Sequence, residues 1–273
     1  MTERIVRVSG HFGELIQGRI GQEGPVALIS LPCPALVLEA RLWPGPGLFV
    51  HGAGQRLLTP ERARRFLAGL GLPLAGRVTM RAAMPAGGGA GASTAALVAL
   101  ARLAGARLTP QALARAAIGS EGASDPLMFA AAERLLWASR AGLVLDNLPP
   151  LPRFDVIGGF YGPPRRTEAR DMDFPDIADL IDPWRRAAGA GRAAALAEIA
   201  GVSAARTLAL RGPDGDPTAA LARQLGAAGQ VIGHTGSARG LLFLPGRIPD
   251  TATQVLRDAG MTGIVRFRVG GGG

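Results

Sequence analysis

The sequence has no lysine: all 30 basic residues among its 273 are arginine. That absence excludes a Walker-type P-loop, which needs a lysine before its Ser/Thr, and the strand lysine of protein kinases. Schiff-base chemistry is excluded with it. Any phosphate site in this chain must work through backbone amides, a metal ion or arginine. Cysteine is nearly as scarce. Cys33 stands alone, so neither an internal disulfide nor a cysteine-built metal site can form. Aromatic residues make up 5% of the chain, too few to interleave with arginine as a nucleic-acid surface requires. The arginines are also scattered (Arg62, Arg64, Arg65, then Arg102, Arg107, Arg115), so the net charge of +9 reads as a solvated basic surface. Pro25 to Ala40 lacks charge until Glu39, but Pro25, Pro32 and Pro34 break it, and it is too short to span a membrane. Met1 to Arg7 contains no apolar signal core. The expectation is a cytoplasmic protein with neither nucleic-acid nor membrane partners, for which a homodimer is left open.

What is present is an ordinary globular composition, 48% hydrophobic and 19% charged, in a chain long enough for two lobes. Its most informative stretch is Met84 to Leu100. A β-rich run, Val78 to Ala82, leads to a loop with four glycines between Pro85 and Ala96, after which Ser93-Thr94 opens an alanine/leucine helix. Glycines let backbone amides approach phosphate oxygens, and the helix start adds unpaired N–H groups and a positive dipole end. A hydroxyl at that position can ligate the Mg²⁺ of a nucleotide.

Along the chain, strands are expected over 4–9 and 26–42, with a turn at 21–24. Thr59 and Thr109, each followed by proline, cap helices reaching Gly69 and Ile118. A strand over 76–83 and a helix over 92–105 flank the glycine loop. Ser124-Asp125-Pro126 reads as the cap of a helix through Ser139. Strands follow at 142–146 and 154–160. The stretch 175–212 reads as helices broken at Gly189 to Gly191 and at Gly201, and 217–229 as a further helix. A hairpin (231–233 and 240–244), a helix (250–259) and a strand (262–269) complete an α+β pattern. Pro149, Pro150 and Pro152 place a boundary near 148–153, dividing the chain into 1–150 and 151–269.

Four segments, taken in order, carry a resemblance. They are Gly10-His-Phe-Gly-Glu-Leu-Ile-Gln-Gly18 just after the first strand, the glycine loop, Glu121-Gly-Ala-Ser-Asp-Pro126, and Ile232-Gly-His-Thr-Gly-Ser-Ala-Arg-Gly-Leu-Leu-Phe243. Together they make the chain similar to the GHMP small-molecule kinases. The first and last point further, to the L-threonine kinase branch associated with cobalamin biosynthesis and propanediol utilisation. The resemblance implies a two-lobed fold, with a ribosomal-protein-like N-terminal ATP-binding lobe and a ferredoxin-like C-terminal lobe. It also implies ATP and Mg²⁺ as cofactors and a small-molecule acceptor, an amino acid, whose hydroxyl is phosphorylated. The leading acceptor is L-threonine, giving L-threonine O-3-phosphate. The alternatives are another acceptor alcohol (homoserine, a sugar or an isoprenoid) and a non-catalytic nucleotide-binding relative.

Residue by residue, the resemblance places Pro85, Gly87, Gly88, Gly89, Ala90, Gly91, Ala92, Ser93 and Thr94 around the ATP phosphates, with Ala92 departing from the family's frequent Ser-Ser pair. It places Ser93 and Glu121 on Mg²⁺ and Asp125 on the acceptor hydroxyl, and gives Ser93, Glu121 and Asp125 the catalytic roles. Glu14 and Gln17, with His234, Thr235, Gly236 and Ser237, are expected to line the acceptor pocket, Glu14 receiving the ammonium of an amino acid. The plainer readings are a helix N-cap for Ser93 and Asp125, a strand-end surface position for Glu14, a turn residue for Gln17 and an idle hairpin for residues 234–237. His11 and His51 show no metal-ligand pattern. An acceptor carboxylate calls for arginine, and Arg140, Arg165, Arg166 and Arg239 are candidates that spacing does not separate.

Overall fold

The computed structural model describes residues 3–165 and 168–272; Arg166 lies outside the described residues. The elements in order are β1 (Arg4–Arg19), β2 (Val26–Trp43), β3 (Leu48–His51), α1 (Pro60–Gly69), β4 (Gly76–Ala82), α2 (Ala92–Leu103) and α3 (Pro110–Glu121). A 3₁₀ turn (Ala132–Arg134) leads to β5 (Leu135–Ala138) and β6 (Leu143–Asn147). Then come β7 (Phe154–Phe160), α4 (Ala178–Gly189), α5 (Ala193–Arg211), α6 (Thr218–Leu225), β8 (Gly229–Ile232), β9 (Ala238–Phe243), α7 (Ala252–Asp258) and β10 (Thr262–Val269). The fold is α+β, built on one curled sheet in the order β10-β7-β9-β8-β1-β2-β4-β3, with β5 pairing both β2 and β6. Between β1 and β8 the ladder is a single antiparallel pair, Glu14 with Ile232.

β1 does not stop at residue 9. It continues to Arg19, so the motif Gly10 to Gly18 lies inside a strand, antiparallel to β2, and not after one. The hydrophobic run that extends it is buried throughout: Phe12, Leu15 and Ile16 are inaccessible to solvent. Phe12 sets its ring edge-to-face against Phe160 at 5.5 Å and Phe267 at 5.9 Å, which fixes β1 under β7 and β10. The register shifts around Gly10, His11 and Glu14, and Gly13 takes φ +74°, close against the Ile232 carbonyl. Residues three apart on a regular strand point to opposite faces. The bulge at Gly13 removes that opposition, so His11 and Glu14 face each other.

The anticipated helix over 126–139 does not form. Its Ala, Glu, Arg and Leu content favours helix, but all of Leu135 to Ala138 is buried as β5, paired to Ala27 and Leu28 of β2. The Trp137 indole donates to the Ser124 carbonyl at 2.7 Å. Sheet pairing and burial of the largest side chain in the region override local propensity. α5 runs unbroken through Gly201, and β3 adds a strand where none was expected. By length and composition α5 could cross a membrane. It packs instead on β1 and β8, burying Leu196, Ala197, Ala200, Ser203, Ala204 and Thr207.

Candidate active site

A cavity of about 720 Å³ opens between the glycine loop, the α3–β5 connection and the β8–β9 turn. Its floor is the loop between β4 and α2. Gly87, Gly89 and Gly91 take φ of 76°, 75° and 76°, and Ala92 starts the helix with Gly91 as its N-cap and no side-chain cap. Ser93 is therefore not the N-cap, and its hydroxyl caps no helix amide. The first amide with an intrahelical acceptor is Ala95, bonded to Gly91 O at 2.8 Å, so the N–H groups of Ala92, Ser93 and Thr94 open the helix unpaired within it. Pro85, Gly87, Gly89, Ala90, Gly91, Ala92, Ser93 and Thr94 all line the cavity. Gly88 turns the other way: its carbonyl accepts the Ala238 amide at 3.0 Å.

Glu121 ends α3 beside this floor. The Ser93 hydroxyl donates to Glu121 Oε1, and Arg62 of α1 meets the same oxygen at 2.8 Å. Thr94 Oγ1 accepts the Asp125 amide at 3.3 Å and lies 3.4 Å from both Glu121 Oε2 and Asp125 Oδ2. Asp125 is thus held by a hydroxyl on α2, with no helix after it to cap. Burial raises the Glu121 pKa against the opposing pull of Ser93 and Arg62.

His11 stands on the far side of Asp125, with Nε2 3.5 Å from Oδ1 and Nδ1 3.1 Å from Glu14 Oε1. Burial alone would lower the histidine pKa, but Glu14 and Asp125 outweigh it and hold the imidazolium well above the ordinary range. Burial would also raise the Asp125 pKa, and His11 reverses this, keeping the carboxylate ionised. The ligand atoms of His11, Glu14 and Asp125 fall within 4.8 Å of one another. A doubly protonated imidazolium, one N–H toward each carboxylate, offsets one of their two negative charges. Glu14 itself is sealed: its side chain has 0% exposure and does not reach the cavity. It is neither a surface glutamate nor placed to meet an ammonium. Its partner is His11, and burial nonetheless pushes its pKa upward.

The opposite wall is built on Gln17, which is a buried strand residue and not part of a turn. Its side-chain amide donates to Ile232 O at 3.1 Å, leaving Oε1 to face His234 Nδ1 at 3.1 Å. That arrangement makes Nδ1 the protonated nitrogen of His234. Nε2 is then the acceptor for the Arg140 guanidinium at 3.2 Å. Burial and the neighbouring Arg140 lower the His234 pKa to about 3, so this ring is neutral. It stacks flat on Phe174 at 4.2 Å.

Thr235 also lines the cavity. Gly236 packs on the glycine loop so closely that a Cβ there would stand 2.2 Å from the Gly89 nitrogen. Ser237 faces a smaller recess beside Tyr161, whose amide bonds the Ser237 carbonyl at 2.8 Å. The structure therefore brings Ser93, Thr94, Glu121, Asp125, His234 and Thr235 to one cavity. Glu14 and Ser237 stay off it. Sequence reasoning missed His11 and Arg62. The signal for His11 was the glycine two residues after it, which lets positions three apart share a face; nothing local announces Arg62.

Solved structures share this fold over the whole chain. Mevalonate kinase from L. major superposes with a TM-score of 0.67 at 17% identity, covering 98% of this chain and 96% of that one. A putative homoserine kinase from Listeria monocytogenes gives 0.64 at 18% identity, over 100% and 98%. Mevalonate kinase from methicillin-resistant Staphylococcus aureus gives 0.60 at 17%, over 100% of both chains. These neighbours belong to the GHMP kinase superfamily, and at such identities the likeness concerns the fold. No family model and no curated protein matches the sequence significantly.

Proposed function

We propose that the protein is an ATP- and Mg²⁺-dependent kinase that phosphorylates the hydroxyl of a small polar acceptor, with L-threonine as the leading acceptor. The observation that carries this reading is the convergence of Ser93, Glu121 and Asp125 on one wall of the cavity, directly above the glycine loop. A hydroxyl and a carboxylate are the hard oxygen donors that Mg²⁺ takes. The loop is also a cradle that side chains would fill: a Cβ at Gly91 would meet His11 and Leu127 at 2.8 Å and Asp125 Oδ2 at 3.3 Å. The residues present fit both groups.

In this reading the amides of the loop and of the α2 start hold the phosphates, and Ser93 and Glu121 hold the metal, which neutralises phosphate charge when bound. Leu57, Leu58 and Pro60 offer an apolar wall for the base. Asp125 takes a hydrogen bond from the acceptor hydroxyl and aligns it. A carboxylate held ionised by His11 is a weak base, so orientation is its main contribution. Residues 1–150 act as the ATP-binding domain and 151–269 as the C-terminal domain. The preference for threonine comes from the first and last of the four motifs.

The test is ADP release with threonine, serine, homoserine and ethanolamine as acceptors. Turnover with threonine is expected. Turnover with another alcohol and none with threonine rejects threonine alone. Tight ATP binding with no transfer to any alcohol rejects the kinase and leaves a nucleotide-binding protein on the same scaffold.

A further inference from the structure

The four arginines that the sequence offers for an anionic substrate group are not equivalent in the fold. Arg239 is a strut: Nε meets Asp216 Oδ2 at 2.7 Å, and Nη1 donates to the carbonyls of Gly236 and Ala238. Arg165 lies beside the glycine loop, its amide bonded to Gly87 O at 2.9 Å, on the phosphate side of the cavity. Arg166 is outside the described residues. Arg140 differs from both of the described alternatives. Its Nη1 donates to Ser139 Oγ at 3.1 Å and to His234 Nε2 at 3.2 Å, while Nε and Nη2 are buried with no hydrogen-bond partner. No carboxylate among the described residues forms an ion pair with it. The nearby Asp171 is taken by Arg211 at 2.5 Å, and Arg140 has only the Phe174 ring, 5.2 Å from its guanidinium carbon. Burial presses its pKa downward.

A half-buried guanidinium with two buried donors to spare and no carboxylate of its own is costly to keep unless something supplies the anion. Ser139 and His234, the two groups it does touch, both line the cavity, and Arg140 stands one side chain behind that wall. So do Ser124 and Asp125, and the Ser124 amide bonds the Ser139 carbonyl at 2.9 Å. The loop that carries Asp125 is thereby tied to the strand end that carries Arg140. His234 cannot supply a competing positive charge, because Gln17 fixes its neutral tautomer with Nε2 as acceptor.

We propose that Arg140 is the subsite for a carboxylate on the acceptor, so that the substrate is a short hydroxylated acid, amino acids included, and not a neutral alcohol or sugar. The inference rests on the kinase reading above. The anion binds at the wall formed by Ser139 and His234 while the hydroxyl of the same molecule reaches Asp125.

The experiment compares L-threonine and L-homoserine with their carboxamides, using the full chain with MgATP, in the unmodified protein and in Arg140→Ala and Arg140→Lys. With the unmodified protein, kcat/KM should be about 100-fold lower for the amide than for the acid, the cost of unpairing a buried charge. Arg140→Ala should lower the acid by a similar factor through KM and lower the amide far less; Arg140→Lys should recover part of the difference. Equal turnover of acid and amide by the unmodified protein overturns the inference and leaves the kinase reading intact. An equal loss for both in Arg140→Ala does the same. No transfer to any acceptor removes the kinase reading, and this inference with it. The acid-to-amide ratio of the unmodified protein carries the test even where the alanine variant does not fold.

Discussion

Two buried histidines face the cavity from opposite walls, and their surroundings make one a cation and leave the other neutral. His11, on the β1 bulge, sits between Glu14 and Asp125 and keeps its proton. His234, after β8, sits between the Gln17 amide oxygen and the Arg140 guanidinium and has lost it. Burial is nearly the same, 2% and 7% exposed, so depth does not decide. The neighbours do, and they were assembled from distant parts of the chain. One wall becomes an alternating row of carboxylate, cation and carboxylate beside the glycine loop. The other presents a neutral acceptor in front of an unpaired guanidinium. The first is suited to aligning a hydroxyl against a phosphate, and the second to receiving an anion.

The comparison can be broken most severely at Asp125. Asp125→Asn keeps the shape but removes the charge that His11 answers, and turnover should fall about 10³-fold. Because no helix follows residue 125, no cap is lost, and any fall in melting temperature should reflect only the lost pairing with His11; a large drop with normal turnover would make Asp125 a structural residue. Next in size, His11→Asn leaves Glu14 buried without its cation and should lower stability by about 3 kcal/mol, measured by urea titration. The sign follows from linkage. The folded pKa lies above the unfolded 6.5, so the stabilisation is complete below that value and fades as pH rises through the folded pKa. The difference between variant and parent should therefore shrink at alkaline pH.

Ser93→Ala should reduce kcat about 10- to 100-fold with little change in the KM for ATP, and raise the Mg²⁺ concentration needed for half-maximal rate. Unchanged metal dependence would remove Ser93 from the metal site. At neutral pH the smallest effect is at His234, whose contribution emerges only on acidification. Its folded pKa of about 3 lies below the unfolded 6.5, so the unfolded chain takes up a proton that the folded one refuses. Stability should fall between about pH 6.5 and 3 by up to about 1.4 kcal/mol per pH unit from this residue. His234→Gln should flatten that slope, and an unaltered slope would mean that the ring is charged after all.

Much of the scaffold was legible because its signals are local. Thr59 and Thr109 cap α1 and α3 as their Thr-Pro spelling indicates, accepting the amides of Arg62 and Ala112 at 3.2 Å. β7 and β10 fall on the expected residues because their β-branched and aromatic runs end at glycine or proline. The stretch 126–139 was not legible, since its strand exists only through pairing with β2, about 110 residues earlier in the chain. The candidate site divides in the same way. The glycine loop and Ser93 announce themselves within a dozen residues. The Arg62–Glu121 and His11–Asp125 pairs bridge 59 and 114 positions, and only the folded chain reveals them. Glu14 shows the converse error: its place in a recognisable motif suggested a ligand, while the bulge at Gly13 turned it inward to serve its neighbour.

The contact between Gly236 and the amide of Gly89, reinforced by the bond from Ala238 to Gly88, welds the turn that bears His234 to the glycine loop. Neither ribbon of main chain can shift without dragging the other. Donor and acceptor would thus feel each other's arrival through shared peptide groups, so synergy between the two substrates would require no relay of side chains.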